Sequence, residues 1–222
     1  MTRVLSGLLI GCLTAALSQQ ARAESYSRPA APLTWHLAGG YSAPSGQISD
    51  YLQGGWAFNG GFTYAPNGSP LGLRGDVGYS AHNATNKFLD YGAAVNNVQV
   101  DSGTGTFFSV SLGPLYTVPF IGRSNLYGFA QIGLYRSSLQ LTQTVLFAGT
   151  FCDPYFGFCD SGLAVGDVVV YDDSRNRFGW NAGVGVTIPT RFGTTYFVEA
   201  GYHRLLGSQP LQYIPIEFGI RF

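Results

Sequence analysis

Eight runs of period-two alternation fill most of this chain, at about 34–43, 54–65, 71–82, 104–118, 125–142, 178–188, 195–206 and 212–222. Successive side chains of a strand point to opposite faces, so the pattern predicts an all-β fold whose strands each have two unlike faces. Clusters of Gly, Pro, Asn, Asp and Ser separate the runs, and helix-period patterning is absent from them. Most runs are near the ~9–11 residues with which a tilted strand crosses a bilayer. No stretch beyond the amino-terminal segment reaches the ~18 consecutive apolar residues of a membrane helix.

The connections alternate in length. Strands two and three are joined by Pro66 to Pro70, four and five by Pro119 to Ser124, and six and seven by Pro189 to Thr194, each opening on Pro. The other connections, 44–53, 83–103 and 143–177, are long, and only 207–211 is short among them. This predicts an up-and-down sheet with turns at one end and loops at the other, the organisation of outer-membrane barrels with their turns in the periplasm.

Parity tells which face meets lipid. In the last strand Ile214, Ile216, Phe218, Ile220 and Phe222 share one face, opposite Tyr213, Pro215, Glu217, Gly219 and Arg221. Strand six sets Phe178, Trp180, Ala182, Val184, Val186 and Ile188 against Gly179, Asn181, Gly183, Gly185 and Thr187. Strand three sets Leu71, Leu73, Val77 and Tyr79 against Arg74, Asp76, Ser80 and His82; strand seven sets Tyr196, Val198, Ala200 and Tyr202 against Glu199, Gly201 and His203. Charges therefore gather on the glycine-bearing face. A soluble barrel with the apolar face inward has the same parity. Against it stands a chain only 11% charged, where about 25% is usual. Aromatics also recur near strand ends at Trp35, Tyr41, Trp56, Tyr64, Tyr116 and Trp180, as in interfacial girdles. With 12 basic and 12 acidic residues the chain has no basic field, which argues against nucleic-acid binding.

Residues 1–23 read as a signal peptide. Arg3 precedes an apolar stretch from Val4 to Leu17, and Ala21-Arg22-Ala23 has the small-x-small form of a cleavage site, leaving 24–222 as the barrel domain. Leu9-Ile10-Gly11-Cys12 offers a lipoprotein alternative, with less apolar chain before the cysteine. Cleavage after Ala23 removes Cys12 and leaves Cys152 and Cys159 in an oxidising compartment, where such an even pair closes a small loop as a disulfide. Loop entropy assigns an eight-residue closure about 2.5 kcal/mol. Two cysteines alone make no metal site.

The carboxyl-terminal strand, Ile214-x-Ile216-x-Phe218-x-Ile220-x-Phe222, resembles the terminal strand by which outer-membrane barrels are recognised for assembly, with Ile216, Phe218, Ile220 and Phe222 as the signal and Glu217 where that signal often has Gly. With eight strands, the chain resembles the small outer-membrane barrels of the OmpA transmembrane-domain, OmpX and Opa type. The resemblance implies an eight-stranded antiparallel up-and-down transmembrane β-barrel in the bacterial outer membrane, surrounded by lipid and lipopolysaccharide. It also implies transient handling by periplasmic chaperones and the barrel-assembly machinery.

Eight strands enclose a lumen that side chains can just fill. His36, Arg74, Asp76, Gln131, Asn181, Glu199, His203, Glu217 and Arg221 share the inward parity, and an ion-pair network of Arg74 and Arg221 with Asp76, Glu199 and Glu217 is expected to plug the barrel. A narrow porin-like channel through the glycine-rich interior is the alternative. A third reading is a lipid A-modifying enzyme, which needs a nucleophile beside a base. Ser80 with His82 and His203 with Glu199 are the candidate pairs; both lack the His-x-Ser-Asn order of PagL-type deacylases, and the first reads as a solvated strand-end pair. No catalytic residue, metal site or cofactor is therefore expected. The remaining chemistry lies in 83–103 and in 143–177, where Cys152 and Cys159 accompany Asp153, Asp160, Asp167, Asp172 and Asp173 and the aromatics Phe151, Tyr155, Phe156 and Phe158. These loops are candidates for an extracellular ligand, which gives a structural or surface-interaction role.

Overall fold

The computed structural model describes residues 32–66, 69–96, 99–152, 155–190 and 194–222. The signal-peptide and lipoprotein readings of residues 1–23 lie outside them. Eight strands, β1 (Leu33–Ser45), β2 (Leu52–Tyr64), β3 (Leu71–Ala84), β4 (Ser102–Pro119), β5 (Asn125–Cys152), β6 (Cys159–Pro189), β7 (Thr195–Leu205) and β8 (Leu211–Arg221), follow one another around a closed antiparallel barrel. Closure comes from β1 against β8, in register from His36↔Arg221 to Ser45↔Gln212. At this seam Gly40 faces Glu217, and a Cβ on Gly40 would sit 2.0 Å from the Ile216 carbonyl oxygen, so the closing strands approach as only glycine allows.

The outward parity is apolar around the whole wall. Ile132 is 76% exposed and Phe178 71%, and Leu37, Val77, Val110 and Ile216 are likewise open. In water such a continuous patch is a liability; against hydrocarbon it is the required surface. Trp35, Tyr64 and Tyr116 mark the turn end and Tyr41 and Trp56 the loop end, all exposed, while Trp180 is half-buried with its ring 5.5 Å from Tyr202.

The interior is filled in layers. Near the turn end Leu115, Tyr127, Phe129 and Phe197 form one apolar cluster; near the loop end Leu52, Phe107, Tyr135, Leu205 and Tyr213 form another. The inward glycines are the floor for these rings. Gly185 lies opposite Tyr127, Gly183 opposite Phe129 and Gly219 opposite Phe197, and a Cβ on any of the three would fall 2.4–2.5 Å from the ring. At these three positions the space beside the glycine is occupied by a neighbouring aromatic side chain.

The connections correct the expected boundaries. The segment 143–177 is not a loop: β5 and β6 stay paired to Cys152↔Cys159, with one irregularity between Leu141 and Thr142. In place of 44–53 there is a short 3-10 helix, Gly46–Asp50, whose Ile48 is buried in the loop-end cluster. Within 83–103 a helix, α1 (Asn86–Asn96), rests on the rim, with Phe88 edge-on to Tyr51 at 5.8 Å and Lys87 Nζ 3.1 Å from Asp50 Oδ2.

Candidate functional site

Two places carry chemistry: the middle of the lumen and the ribbon that β5 and β6 make beyond the wall. In the lumen, β3 delivers Arg74 and Asp76 and β7 delivers Glu199 between the two aromatic layers. Arg74 is fully buried; its Nε donates to Asp76 Oδ2 at 2.8 Å, while Nη1 and Nη2 donate to the two oxygens of Glu199 at 2.7 and 2.8 Å. This fork-to-fork geometry is the strong form of a charge-assisted hydrogen bond. The guanidinium carbon lies 4.4 Å from the Phe129 ring centroid.

The carboxylates are satisfied by further neighbours. Tyr127 Oη donates to Glu199 Oε2 at 2.6 Å, Gln131 Nε2 donates to Asp76 Oδ2, and His36 Nε2 lies 2.7 Å from Asp76 Oδ1. Ser111 Oγ donates to Gln131 at 3.0 Å, and Asn181 Nδ2 donates to Ser111 Oγ at 3.1 Å and Tyr135 Oη at 3.0 Å. The hydrogen bonds cross the lumen through β1, β3, β4, β5, β6 and β7. A void of about 10 Å³ remains among Asn59, Ser109, Asn181, His203 and Glu217, roughly the space of one water. These hydrogen bonds form a bolt across the barrel.

Two members expected in the ion-pair network stand apart. Arg221, half-buried near the turn end, has no acid within ion-pair reach among the described residues; its guanidinium lies over Tyr127 and Phe197, at 5.2 and 5.6 Å from their centroids. Its strand position sets it one aromatic layer from Glu199, and the rings take the place of a carboxylate. Glu217 is buried directly opposite Glu199 across the β7–β8 ladder, where Arg74 is already held by Glu199 and Asp76. The sequence reading missed Tyr127, Phe129, Tyr135 and Phe197. The signal for Tyr127, Phe129 and Phe197 was a large aromatic on the inward parity of one strand facing Gly on the next, whereas Tyr135 faces Ser109 and Arg177.

The packing brings one candidate catalytic pair together in a buried position and keeps the other apart. Ser80 and His82 are not a solvated pair: both are buried, with Ser80 Oγ 3.3 Å from His82 Nε2, Gln53 O 3.1 Å from His82 Nδ1, and the Phe107 ring edge-on to the imidazole at 5.4 Å. Ser80 is only 3% exposed. His203 and Glu199 do not meet; His203 Nδ1 lies 3.3 Å from Tyr135 Oη and its ring stacks on Tyr213 at 4.6 Å. Among the described residues no group of three His, Cys, Asp or Glu side chains is arranged to hold a metal ion.

Beyond the wall β4 pairs with β5 only as far as Ser102↔Thr142, and β6 pairs with β7 only from Gly179↔Leu205. From there β5 and β6 continue as a two-stranded ribbon from Thr142 to Cys152, about 33 Å at roughly 3.3 Å per residue. Its end is stapled by the Cys152–Cys159 disulfide, S–S 2.07 Å, and carries Tyr155, Phe156 and Phe158, each more than 70% exposed. Asp153 and the side chains of Phe151 and Asp160 lie outside the described residues.

The family described as "Outer membrane protein beta-barrel domain" matches residues 8–214. No curated protein sequence matches the chain. Among solved structures, a major outer membrane protein of Thermus thermophilus superposes with a TM-score of 0.54 at 12% identity, covering 86% of this chain and 98% of that one. Neisserial surface protein A superposes with a TM-score of 0.53 at 12% identity, covering 86% and 96%. At such identities the likeness shows the fold.

Proposed function

The chain belongs to the outer-membrane β-barrel family, and on that premise we propose that it serves at the cell surface through the β5–β6 ribbon, carried on a barrel that neither conducts nor catalyses. The family places it in the outer membrane, and the exposed apolar wall suits contact with lipid and lipopolysaccharide. Ile216 and Phe218 on the outward face of β8, with the exposed Phe222 just after it, suit the handling by chaperones and assembly machinery that the terminal strand implies. The loop end, with the ribbon, α1 and the 3-10 helix, faces the exterior. One observation carries this reading: the only long excursion from the wall among the described residues ends in a stapled aromatic tip, while the lumen beneath it is bolted. Burying rings of this kind supplies much of the energy of a protein interface.

The test replaces residues 144–167 by Asn-Gly, joining Gln143 to Val168, which already face each other. The shortened barrel is expected to keep the mobility difference between unheated and boiled samples on a denaturing gel. Cells displaying it are expected to lose at least about tenfold in adhesion to those coated protein or glycan surfaces that bind the full-length chain. Equal adhesion by both, or adhesion by neither above cells lacking the protein, would overturn the reading.

A further inference from the structure

Resting on the surface-interaction reading, we propose that the free edge of β6 takes up an extended, positively charged segment of another protein as an added strand. Among the described residues no strand pairs with β6 from Ser161 to Asn176 on the side away from β5, because β7 begins its ladder at Gly179↔Leu205 and the β7–β8 connection is short. A row of backbone donors and acceptors is thereby left to solvent, the template that strand addition uses. The edge of β5 is shorter and partly closed, since the Thr144 amide donates to Asp101 Oδ2 at 2.8 Å. Along the β6 edge Leu163, Val165 and Val169 alternate on one face and are each more than 50% exposed, providing apolar contacts for a pleated partner.

Charge selects the occupant. From Gln143 to Ser174 the ribbon has five Asp and no Lys or Arg. Asp173 is met by Arg175 at 2.9 Å, but Asp167 and Asp172 have only neutral donors, Thr144 for the first and Ser138 and Gln140 for the second. A second copy of the ribbon would bring like charge against like charge, and an anionic lipid surface would be repelled. A basic extended segment gains both the ladder and the charge pairing.

The experiment uses the full mature chain refolded in phosphatidylcholine nanodiscs, with fluorescent decapeptides as probes. A decapeptide of alternating Lys and Val is expected to bind saturably, and one of alternating Glu and Val at least tenfold more weakly. The order reverses with Asp167→Lys and Asp172→Lys together; Asp167→Asn with Asp172→Asn, expected to erase the preference, serves if the first variant does not refold. Backbone N-methylation at one alternate set of Lys–Val residues is expected to cost at least tenfold, and at the other set less than threefold. Binding indifferent to N-methylation at both sets would reduce the interaction to charge alone and overturn strand addition, as would any other methylation pattern. Absence of peptide binding together with ribbon-dependent cell adhesion would sink this inference and leave the surface reading standing; loss of ribbon-dependent adhesion would sink the reading itself.

Discussion

Arg74→Met is expected to destabilise the refolded barrel by about 3–5 kcal/mol, the cost of leaving a buried charge without its partner. Arg74 is the only described cation within ion-pair distance of Asp76 and Glu199, apart from the His36 ring that also touches Asp76. Methionine preserves volume and flexibility but strands two carboxylates in a lumen that admits little water, and it forfeits four hydrogen bonds from the guanidinium. The measurement is urea unfolding in lipid vesicles, followed by tryptophan fluorescence and read from the midpoint at fixed slope. The triple variant Arg74→Met, Asp76→Asn, Glu199→Gln removes the stranded charge as well and is expected to recover most of the loss. A single variant within about 1 kcal/mol of the parent would mean that the lumen is wet and that the bolt holds nothing.

Val110→Arg is expected to cost about 2–4 kcal/mol, the penalty for arginine on the lipid face at mid-bilayer. Val110 lies on the outward parity of β4 between Val77 of β3 and Leu134 of β5, halfway along the wall. Thr106→Arg, on the same face but nearer the loop end, is expected to cost only about 0–1 kcal/mol, because the long side chain reaches the interface. Its neighbours across the ladders are Ala81 and Ser138. A soluble barrel would tolerate both substitutions on its exposed face. Near-equal, small effects in the same urea assay would therefore contradict the lipid-facing assignment.

The wall was legible because one face of every strand is buried in something, lipid outside and packed side chains inside. Burial on either side enforces alternation, and Ile214 through Phe222 or Phe178 through Ile188 show it plainly. The ribbon was not legible, because both its faces are open to water and nothing imposes a period of two. Val145 and Phe147 on one face and Leu146 on the other break the alternation, while Gly149, Gly162, Gly166 and Asp167 read as loop residues. The inward charges were legible by parity, but their pairing was not. Pairing depends on which layer of the lumen each side chain reaches, and this put Arg74 between Asp76 and Glu199 while setting Arg221 against Tyr127 and Phe197. Only the channel alternative took the glycines as open space, because a strand seen alone does not show that the ring of Tyr127 or Phe129 lies across from them.

The central claim is a bolted barrel whose function lies on its surface, and planar-bilayer conductance of refolded residues 24–222 tests it most directly. Folding is first checked by the different migration of unheated and boiled samples. With Arg74 held by Asp76 and Glu199 and rings filling the lumen on both sides, the folded protein is expected to insert without current steps. Discrete, reproducible steps from the folded protein, changed in size by Arg74→Met, would contradict the account and make the lumen a conducting path.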